Sequence, residues 1–329
     1  MKDHPILRKI LIRILLFIAV MFILSIVVFV LARLAPGDPL QSFYGDALEN
    51  MTDAEKDAAR VRLGLDAGMV TQYVRWITGA FHGDFGLSFK YKMPVMQVIR
   101  PLIGNTLTLG FLAYILVFAL AVVLALICAL HEDSLLDKAI CRIGTLIYYI
   151  PGFWLGVVLV LIFSVNLGLL PSSGAYDVGK QADLLNRIRH MILPLTVMVA
   201  THLWYYGYMI RNKLLDEVRK DYILFAKAKG CSRTEIVWKH CLRNVAPTIV
   251  NIMAISVPHI TGGTVVVEAV FNYPGIGNLA VESAKYHDYN LLMVDVLITG
   301  ALVIFSGYVA QTINEEIDPR MKDMEAVRW

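Results

Sequence analysis

Long apolar runs alternate with polar segments along the whole chain. Six of these runs hold few or no charged residues, and each can cross a bilayer core of about 30 Å at about 1.5 Å per helical residue. We therefore predict six transmembrane helices, over residues 14–32, 104–130, 143–170, 191–210, 245–267 and 291–313. Pro151 and Gly152 lie inside the third run and predict that this helix bends.

The polar insertion between the first two runs, residues 33–103, contains patterns typical of short helices. Thr52 and Glu55 form a capping box, which predicts a helix start. Apolar residues at helical spacing over 70–77 predict a second helix, and residues 94–102 predict a short amphipathic piece at the membrane interface. The insertion is predicted to be a small external subdomain with no chemistry, or else a cap over the pathway or part of a docking surface for a substrate-delivering protein.

The polar segment 221–244 separates the fourth and fifth runs, and Gly230 divides it. We predict a helix before the glycine, with one face formed by Tyr222, Phe225, Ala226 and Lys229. After the glycine, Ser232 and Glu235 form a second capping box and predict a new helix. A helix, a glycine corner and a second helix suit docking onto another protein. The alternative is a basic amphipathic segment that lies on anionic lipid.

Composition and charge turn this pattern into a topology. The chain has 329 residues, 57% hydrophobic and 17% charged, against about 25% charged residues in a soluble domain, which indicates a polytopic membrane protein. With successive segments assigned to opposite sides, one side holds eighteen Lys and Arg residues, and the short loops of the other side hold four. Because the basic side faces the cytoplasm, both termini and segment 211–245 are predicted to be cytoplasmic, and insertion 33–103 external.

The predicted organisation therefore has four parts. They are residues 1–32 (cytoplasmic N-terminus and first helix), 33–103 (external insertion), 104–313 (core with helices two to six and the cytoplasmic segment 211–245) and 314–329 (cytoplasmic tail).

The chain carries few chemical groups that would support catalysis. It has no GxxxxGK[ST] loop for nucleotide phosphates, no HExxH and no GxSxG, so we predict no enzymatic activity. It also lacks the basic or aromatic tracts of nucleic-acid binders. The four cysteines avoid the predicted external loops, which favours reduced thiols. Cys231 and Cys241 are ten residues apart, which is not zinc-finger spacing, and we predict no metal ligand.

The predicted spans are poor in charge, which argues against an ion-coupled carrier. The deep polar candidates include His202 and His259. On the fifth span we treat Asn251, Ser256 and His259 as candidate path-lining residues. For His259 a hydrogen bond between helices, or a partner for a carbonyl freed by Pro258, is the favoured interpretation.

Several short motifs carry a resemblance to a known family. They are Leu34-Ala35-Pro36-Gly37-Asp38-Pro39, Leu63-Gly64-Leu65-Asp66, Gly83-Asp84-Phe85-Gly86, Pro151-Gly152-Phe153-Trp154-Leu155-Gly156, Ala226 with Gly230, His240-Cys241-Leu242-Arg243-Asn244, Pro274-Gly275-Ile276-Gly277 and Asp318-Pro319-Arg320. In this order they resemble permease subunits of ABC importers, in the branch that imports dipeptides, oligopeptides and nickel or other metal chelates. Phe225 and Lys227 stand where many permeases have Glu and Ala, and Arg243 stands where many have Pro.

The resemblance implies an all-α protein with the type I ABC importer permease fold, in the plasma or inner membrane. It further implies a second homologous permease subunit, two cytoplasmic ATPases that bind the ATP and Mg²⁺, and an external substrate-binding protein. Segment 221–244 corresponds to the family's EAA coupling loop, so Tyr222, Phe225, Ala226, Lys229, Gly230, Ser232 and Glu235 are the implied ATPase-coupling residues.

The implied substrate is a short peptide, with a nickel or other metal chelate as the alternative. A secondary carrier or channel would need intramembrane charges that the chain lacks, and an intramembrane enzyme would need a catalytic dyad. Because Gly230 forms the corner, we expect Gly230→Asp to abolish uptake without abolishing membrane insertion.

Overall fold

The structure is a computed structural model that describes residues 5–317, and this part of the chain is almost entirely helical. The helices are α1 (Pro5–Leu34), α2 (Pro39–Tyr44), α3 (Asp53–Arg62), α4 (Met69–Phe81), α5 (Val95–Leu130), α6 (Leu135–Tyr148), α7 (Gly152–Leu159), α8 (Leu184–Val218), α9 (Asp221–Ala228), α10 (Arg233–Glu235), α11 (Leu242–Val270), α12 (Ile276–Lys285) and α13 (Tyr289–Ile317). A 3₁₀ helix covers Gly45–Asn50, and π-helical turns cover Val160–Asn166 and Ile236–Cys241. Residues 318–329, with the Asp318-Pro319-Arg320 motif, lie outside the described residues.

Four of the six predicted spans coincide with long apolar helices of the structure. Within the described residues, four helices are long and apolar enough to cross a membrane: Ile10–Leu34, Val95–Leu130, Arg233–Val270 and Tyr289–Ile313. The predicted run 191–210 lies inside α8, which is 35 residues long. Buried polar residues such as Asn186, His190 and His202 make α8 less apolar than the others. It can hold them because much of its surface packs against other helices of this chain.

The third predicted span is broken rather than gently bent. Leu135–Tyr148 and Gly152–Asn166 meet at an angle of 94°. Pro151 explains the break, since its ring disfavours helical conformation in the residue before it and it donates no backbone hydrogen bond. Pro151 serves as the N-cap of α7. The two helices count as a fifth span if they are taken as one bent crossing.

The described residues form two compact units. The first contains residues 5–106 and 274–304, and the second contains residues 107–273 and 305–317. Insertion 33–103 therefore packs in one unit with the segment after α11. The predicted capping box is present, because Thr52 Oγ1 accepts from the Glu55 N–H and Glu55 accepts from the Thr52 N–H.

The predicted interfacial piece over 94–102 is instead the first part of α5, which continues through Pro101 without interruption. Val95, Val98 and Ile99 are buried against residues of α12 and α13 in the first unit. The helix begins after Pro94 as predicted, but it is not short. Its packing could not be predicted because the contact partners lie almost 200 residues away in sequence.

Asp288 holds the insertion to the segment that precedes α13. Its carboxylate is fully buried and accepts hydrogen bonds from Ser88 Oγ at 2.5 Å, the Lys90 N–H at 3.1 Å and the Leu291 N–H at 3.3 Å. We call these four residues the Asp288 network. A buried charge with several donors resists separation of the elements that supply them.

The motif over residues 34–39 has a local structural role in the same unit. Asp38 caps α2, because its Oδ1 accepts from the Leu40 N–H at 3.0 Å. The Pro36 carbonyl lies 2.6 Å from His287 Nε2. Gly37 has a φ of +141°, and a Cβ there would collide with the His287 ring. Glycine is therefore required both by its backbone angle and by this close approach.

Candidate functional site

The glycine corner closes α9 with a regular C-terminal motif. The Cys231 N–H donates to the Ala226 carbonyl at 3.2 Å, and the Gly230 N–H donates to the Lys227 carbonyl at 2.9 Å. This pair of bonds is a Schellman motif, which requires a left-handed residue at its turn. Gly230 supplies it with a φ of +83°, and a Cβ built there meets no atom within 4 Å. The corner predicted from the sequence is present, and it faces open space.

The second helix of the segment is continuous with the fifth span. Ser232 Oγ accepts from the Glu235 N–H at 3.2 Å, so the serine half of the predicted capping box is formed. The Glu235 carboxylate pairs instead with Lys239 Nζ at 2.7 Å. From Arg233 the helix runs to Val270 without a break, through the π-helical turn before α11. The predicted helix start at Ser232 is confirmed, and the helix that begins there continues into α11.

The faces of α9 differ from the predicted stripe. Ile223 and Ala226 are buried in the core, while Leu224 and Phe225 are 61% and 63% exposed. Ala226 therefore packs in the core of this chain, and little of its side chain is open to a partner. The amphipathic pattern placed Tyr222, Phe225 and Ala226 together, but burial follows Ile223 and Ala226 at i, i+3.

An exposed surface remains around the corner, and we call it the corner surface: Leu224, Phe225, Lys229, Gly230 and Trp238. Lys229 lies at the C-cap of α9, with its Nζ 4.4 Å from the centre of the Phe225 ring. Trp238 is 53% exposed on the following helix. Large apolar side chains with basic neighbours on a polar segment are typical of protein-interaction surfaces.

Glu217 ties the three helices of this segment together. It accepts from Lys220 Nζ at 2.6 Å, Tyr222 Oη at 2.7 Å and Asn244 Nδ2 at 3.2 Å, and we call these four residues the Glu217 network. Burial opposes ionisation of Glu217, but the hydrogen bonds from its three partners lower the pKa of its carboxyl below the usual value. Burial and the bond to Glu217 raise the pKa of Tyr222. The end of α8 and the starts of α9 and α11 thus share one buried charge.

Tyr222 is therefore a structural residue of the segment as well as a predicted contact. The sequence analysis did not single out Glu217. Its spacing of five residues before Tyr222 gives no recognisable motif. Only the return of the chain at Asn244 shows that the carboxylate is enclosed.

Arginine side chains join segment 211–245 to the end of α5 and to the loop between α5 and α6. Arg219 Nη2 lies 2.9 Å from Glu132 Oε1, and Arg233 Nη2 donates to the Ala129 carbonyl at 3.0 Å. Deeper in the unit, Arg211 binds the buried Asp137 through two nitrogens, at 2.8 and 2.5 Å. The segment and the end of α8 are therefore in direct contact with α5, α6 and the loop between them.

The candidate path-lining residues are not equivalent. Ser256 is buried, and its Oγ donates to the Met253 carbonyl at 2.7 Å, so it lies in the core of this chain rather than along an exposed face. His259 is exposed and its Nδ1 lies 2.9 Å from Tyr206 Oη. This is the interhelical hydrogen bond that the sequence analysis favoured, between α8 and α11. Asn251 is half-buried.

Two family models match the chain. "Binding-protein-dependent transport system inner membrane component" matches residues 121–323, and "Binding-prot-dependent transport system membrane comp, N-term" matches residues 6–110. The oligopeptide transport system permease protein AppB of Bacillus subtilis (strain 168) is 31% identical over 311 residues, which cover 94% of this chain and 98% of that protein. The di/tripeptide transport system permease protein DppB of Pseudomonas aeruginosa (strain UCBPP-PA14) is 29% identical, with 93% and 96% covered.

Solved structures show the same fold. A chain of the MetNI methionine ABC transporter, in an inward-facing conformation, superposes with a TM-score of 0.56 at 17% identity, and covers 68% of this chain and 97% of that one. The fold and the matches define a class, the membrane-spanning permease subunits of ABC importers. The chain belongs to the family of binding-protein-dependent transport system inner membrane components. It is a transport subunit embedded in the membrane, as the sequence resemblance implied.

Proposed function

We propose that this permease subunit forms half of a translocation path for short peptides, and that partner ATPases drive it. The observation that carries the proposal is the corner surface, because the segment that bears it lies between two long helices. α9 begins three residues after α8 ends, and α10 continues into α11. An ATPase docked on the corner surface would push directly on two long helices.

The corner surface suits this partner better than it suits lipid. Leu224, Phe225 and Trp238 are exposed, while the Glu217 network fixes the helices that carry them. A rigid corner with a glycine that faces open space fits a shaped cleft in another protein. Contact by Phe225, Lys229, Gly230, Ser232 and Glu235 remains part of the proposal, whereas buried Ala226 and enclosed Tyr222 support the surface from below.

The partners follow from the family and from the incompleteness of a single subunit. One chain with half of a path needs a second permease subunit, and we propose a homologous one. Two cytoplasmic ATPases and an external substrate-binding protein complete the importer. No ATP site is proposed on this chain.

The proposed orientation places both termini and segment 211–245 in the cytoplasm. In the first compact unit, insertion 33–103 and the segment before α13 are joined by the Asp288 network, so both lie on one side of the membrane. Six predicted crossings place segment 211–245 on the opposite side. The excess of Lys and Arg then assigns that side to the cytoplasm.

The names of the relatives favour a peptide substrate. AppB is named an oligopeptide permease and DppB a di/tripeptide permease. A nickel or other metal chelate is the alternative within the same branch, and an ion-coupled carrier is disfavoured by the few charges in the spans.

The deciding experiment is purification of the tagged chain in detergent, followed by ATPase assays with peptides and with nickel chelates. We expect ATP-hydrolysing subunits and a second permease to co-purify, and a delivered peptide to stimulate hydrolysis. Stimulation by metal chelates alone would move the substrate to the alternative. A chain that purifies alone and transports solute down an ion gradient in liposomes would contradict the proposal.

A matched pair of variants tests the corner surface. Phe225→Asp should remove the co-purifying ATPase, because it places a charge in the centre of the surface. Phe81→Asp is the control, since Phe81 is an exposed phenylalanine of α4 in the insertion. Loss of the ATPase in both variants, or in neither, would count against docking at this corner.

A further inference from the structure

Two cysteines and an aspartate meet where α5 turns into α6. Cys128 lies near the end of α5, and Asp137 and Cys141 lie one turn apart on α6. The two Sγ atoms and a carboxylate oxygen of Asp137 all lie within 4.8 Å of one another. Cys128 and Asp137 are buried and Cys141 is half-buried. This cluster belongs to the second compact unit and lies outside the corner surface.

The spacing of these atoms is close to that of a tetrahedral metal site. Cys141 Sγ lies 3.7 Å from Asp137 Oδ1. In a tetrahedral site with metal–sulfur bonds of about 2.3 Å and metal–oxygen bonds of about 2.0–2.2 Å, the sulfur and oxygen ligands are about 3.5 Å apart. Cys141 and Asp137 therefore already have nearly the spacing of two ligands of one cation, and Cys128 Sγ lies within 4.8 Å of both ligand atoms.

Hydrogen bonds from Arg211 and from the Asp133 backbone hold the Asp137 carboxylate in place. Arg211 donates to both carboxylate oxygens, and the Asp133 N–H donates to Oδ2 at 3.2 Å. A carboxylate has about four lone-pair positions, so an oxygen that accepts from Arg211 can also coordinate a metal. Such outer hydrogen bonds orient the ligand and raise the affinity of metal sites.

The charges also balance. Two thiolates and one carboxylate carry three negative charges, Arg211 carries one positive charge, and a divalent cation supplies the other two. Binding would release one proton from each thiol, with a bond from each sulfur to the metal in place of the S–H bond. No electron transfer is involved.

A cavity of about 290 Å³ gives access to the cluster. It is lined by Cys128, Cys141 and Arg211, together with aromatic residues that include Trp204 and Tyr205. Three protein ligands leave the fourth tetrahedral position open toward this space, where a water molecule would complete the coordination.

We propose that Cys128, Asp137 and Cys141 bind a thiophilic divalent cation of the zinc class. Bound metal joins the end of α5 to α6 beside Arg211 of α8, and so stiffens the loop that Arg219 and Arg233 contact. The sequence analysis weighed Cys231 with Cys241 for a metal site. The structure instead brings together one cysteine of α5 and one of α6, on either side of the loop between these helices.

The test uses the full chain, purified in detergent with the subunits that accompany it, and titrated with CdCl₂. Cadmium thiolates give an ultraviolet charge-transfer band, and ZnCl₂ should compete for it. We expect saturable binding, and a loss of affinity of at least about tenfold in Cys128→Ser and in Cys141→Ser. Cys231→Ser is the matched control and should bind as the unaltered chain does. The absence of a band, or an unchanged affinity in both serine variants, would overturn the proposal.

A second measurement needs no variant. Cd²⁺ or Zn²⁺ should protect Cys128 and Cys141 of the unaltered chain from alkylation by a maleimide, with mass spectrometry to locate the label. Labelling that is unaffected by either metal would overturn the site. So would a pair of thiols that resists alkylation until a reductant is added, because that result indicates a disulfide.

Discussion

Two buried carboxylates, one in each compact unit, organise their surroundings over very different distances along the chain. Glu217 accepts hydrogen bonds from three side chains that lie within 27 residues of it. Asp288 accepts from Ser88 and Lys90, which are about 200 residues away in sequence. The Glu217 network fixes the shape of one local corner, whereas the Asp288 network holds an insertion to a segment from the other end of the chain.

The difference shows what each network contributes. A corner built from neighbouring residues can keep its shape while the helices that enter and leave it move together. A long-range bond fixes two segments in place, because breaking it exposes several donors at once. We therefore expect the Asp288 network to contribute mainly to stability and the Glu217 network to contribute to transport as well.

The largest expected effect is that of Asp288→Ala. It would leave the donors of Ser88, Lys90 and Leu291 buried without an acceptor. The free energy of unfolding should fall by about 3 kcal/mol or more. We expect a lower thermal stability in detergent and faster proteolysis within insertion 33–103. Asp288→Asn keeps an acceptor oxygen and should lose less. Equal stability of the alanine variant and the unaltered chain would remove the basis of the comparison.

Glu217→Ala should have the next largest effect and lower the free energy of unfolding by about 2 kcal/mol. It leaves Tyr222 and Asn244 without their buried acceptor. Uptake should fall more than the stability loss alone explains, since the corner loses its fixed shape. Uptake per inserted molecule, compared with that of Asp288→Ala, measures the difference. If both variants lose uptake only in proportion to stability, the two networks have the same role.

The charge of Glu217 adds a dependence on pH. Its folded-state pKa lies below the usual value of about 4.3. The ionised carboxylate therefore stabilises the folded chain above that value, and this contribution is lost as the pH falls through the folded-state pKa. Thermal unfolding in acid should show a steeper loss of stability for the unaltered chain than for Glu217→Gln. Parallel profiles would contradict this role of the charge.

The sequence was sufficient wherever a structural feature depends on neighbouring residues. Apolar runs predicted the long helices, Thr52 and Glu55 predicted the start of α3, and Gly230 predicted the corner, because each rests on local chemistry. The break of 94° at Pro151 was predicted only as a bend, since a proline fixes the position of a break and tertiary packing fixes its angle.

Features that depend on distant residues could not be predicted. The pairs Ser88–Asp288 and Asp137–Arg211 join residues 200 and 74 positions apart, and no local pattern marks their partners. The burial of Ala226 was missed for a related reason. Helical periodicity gives the residues that share a face, but two faces of α9 carry apolar side chains, and only the neighbouring elements decide which face is buried.

Gly230→Ala tests the corner itself. We expect it to lower the free energy of unfolding by about 1 kcal/mol, because it places an L-residue at a positive φ. A Cβ meets no atom of this chain, so any larger loss must arise in a partner. We expect Gly230→Asp and Gly230→Asn, which tolerate this backbone angle better, to abolish uptake while the chain still inserts. Immunoblots of membranes measure insertion. Normal uptake by a well-inserted Gly230→Asp variant would refute docking at the corner.

The smallest expected effect is that of Tyr206→Phe, which removes the hydrogen bond to His259. Its partners are 53 residues apart, so sequence separation alone would place it with the Asp288 network. Hydrogen bonds between membrane helices nevertheless contribute only about 0.6 kcal/mol on average, and this one involves no buried carboxylate with several donors.

A double-mutant cycle with His259→Ala should give a coupling free energy of this size, with little change in uptake. A tenfold loss of uptake at unchanged stability would instead support a path-lining role for His259. A coupling free energy as large as the loss in Asp288→Ala would show that sequence separation, rather than the number of donors on a buried charge, decides the strength of such bonds.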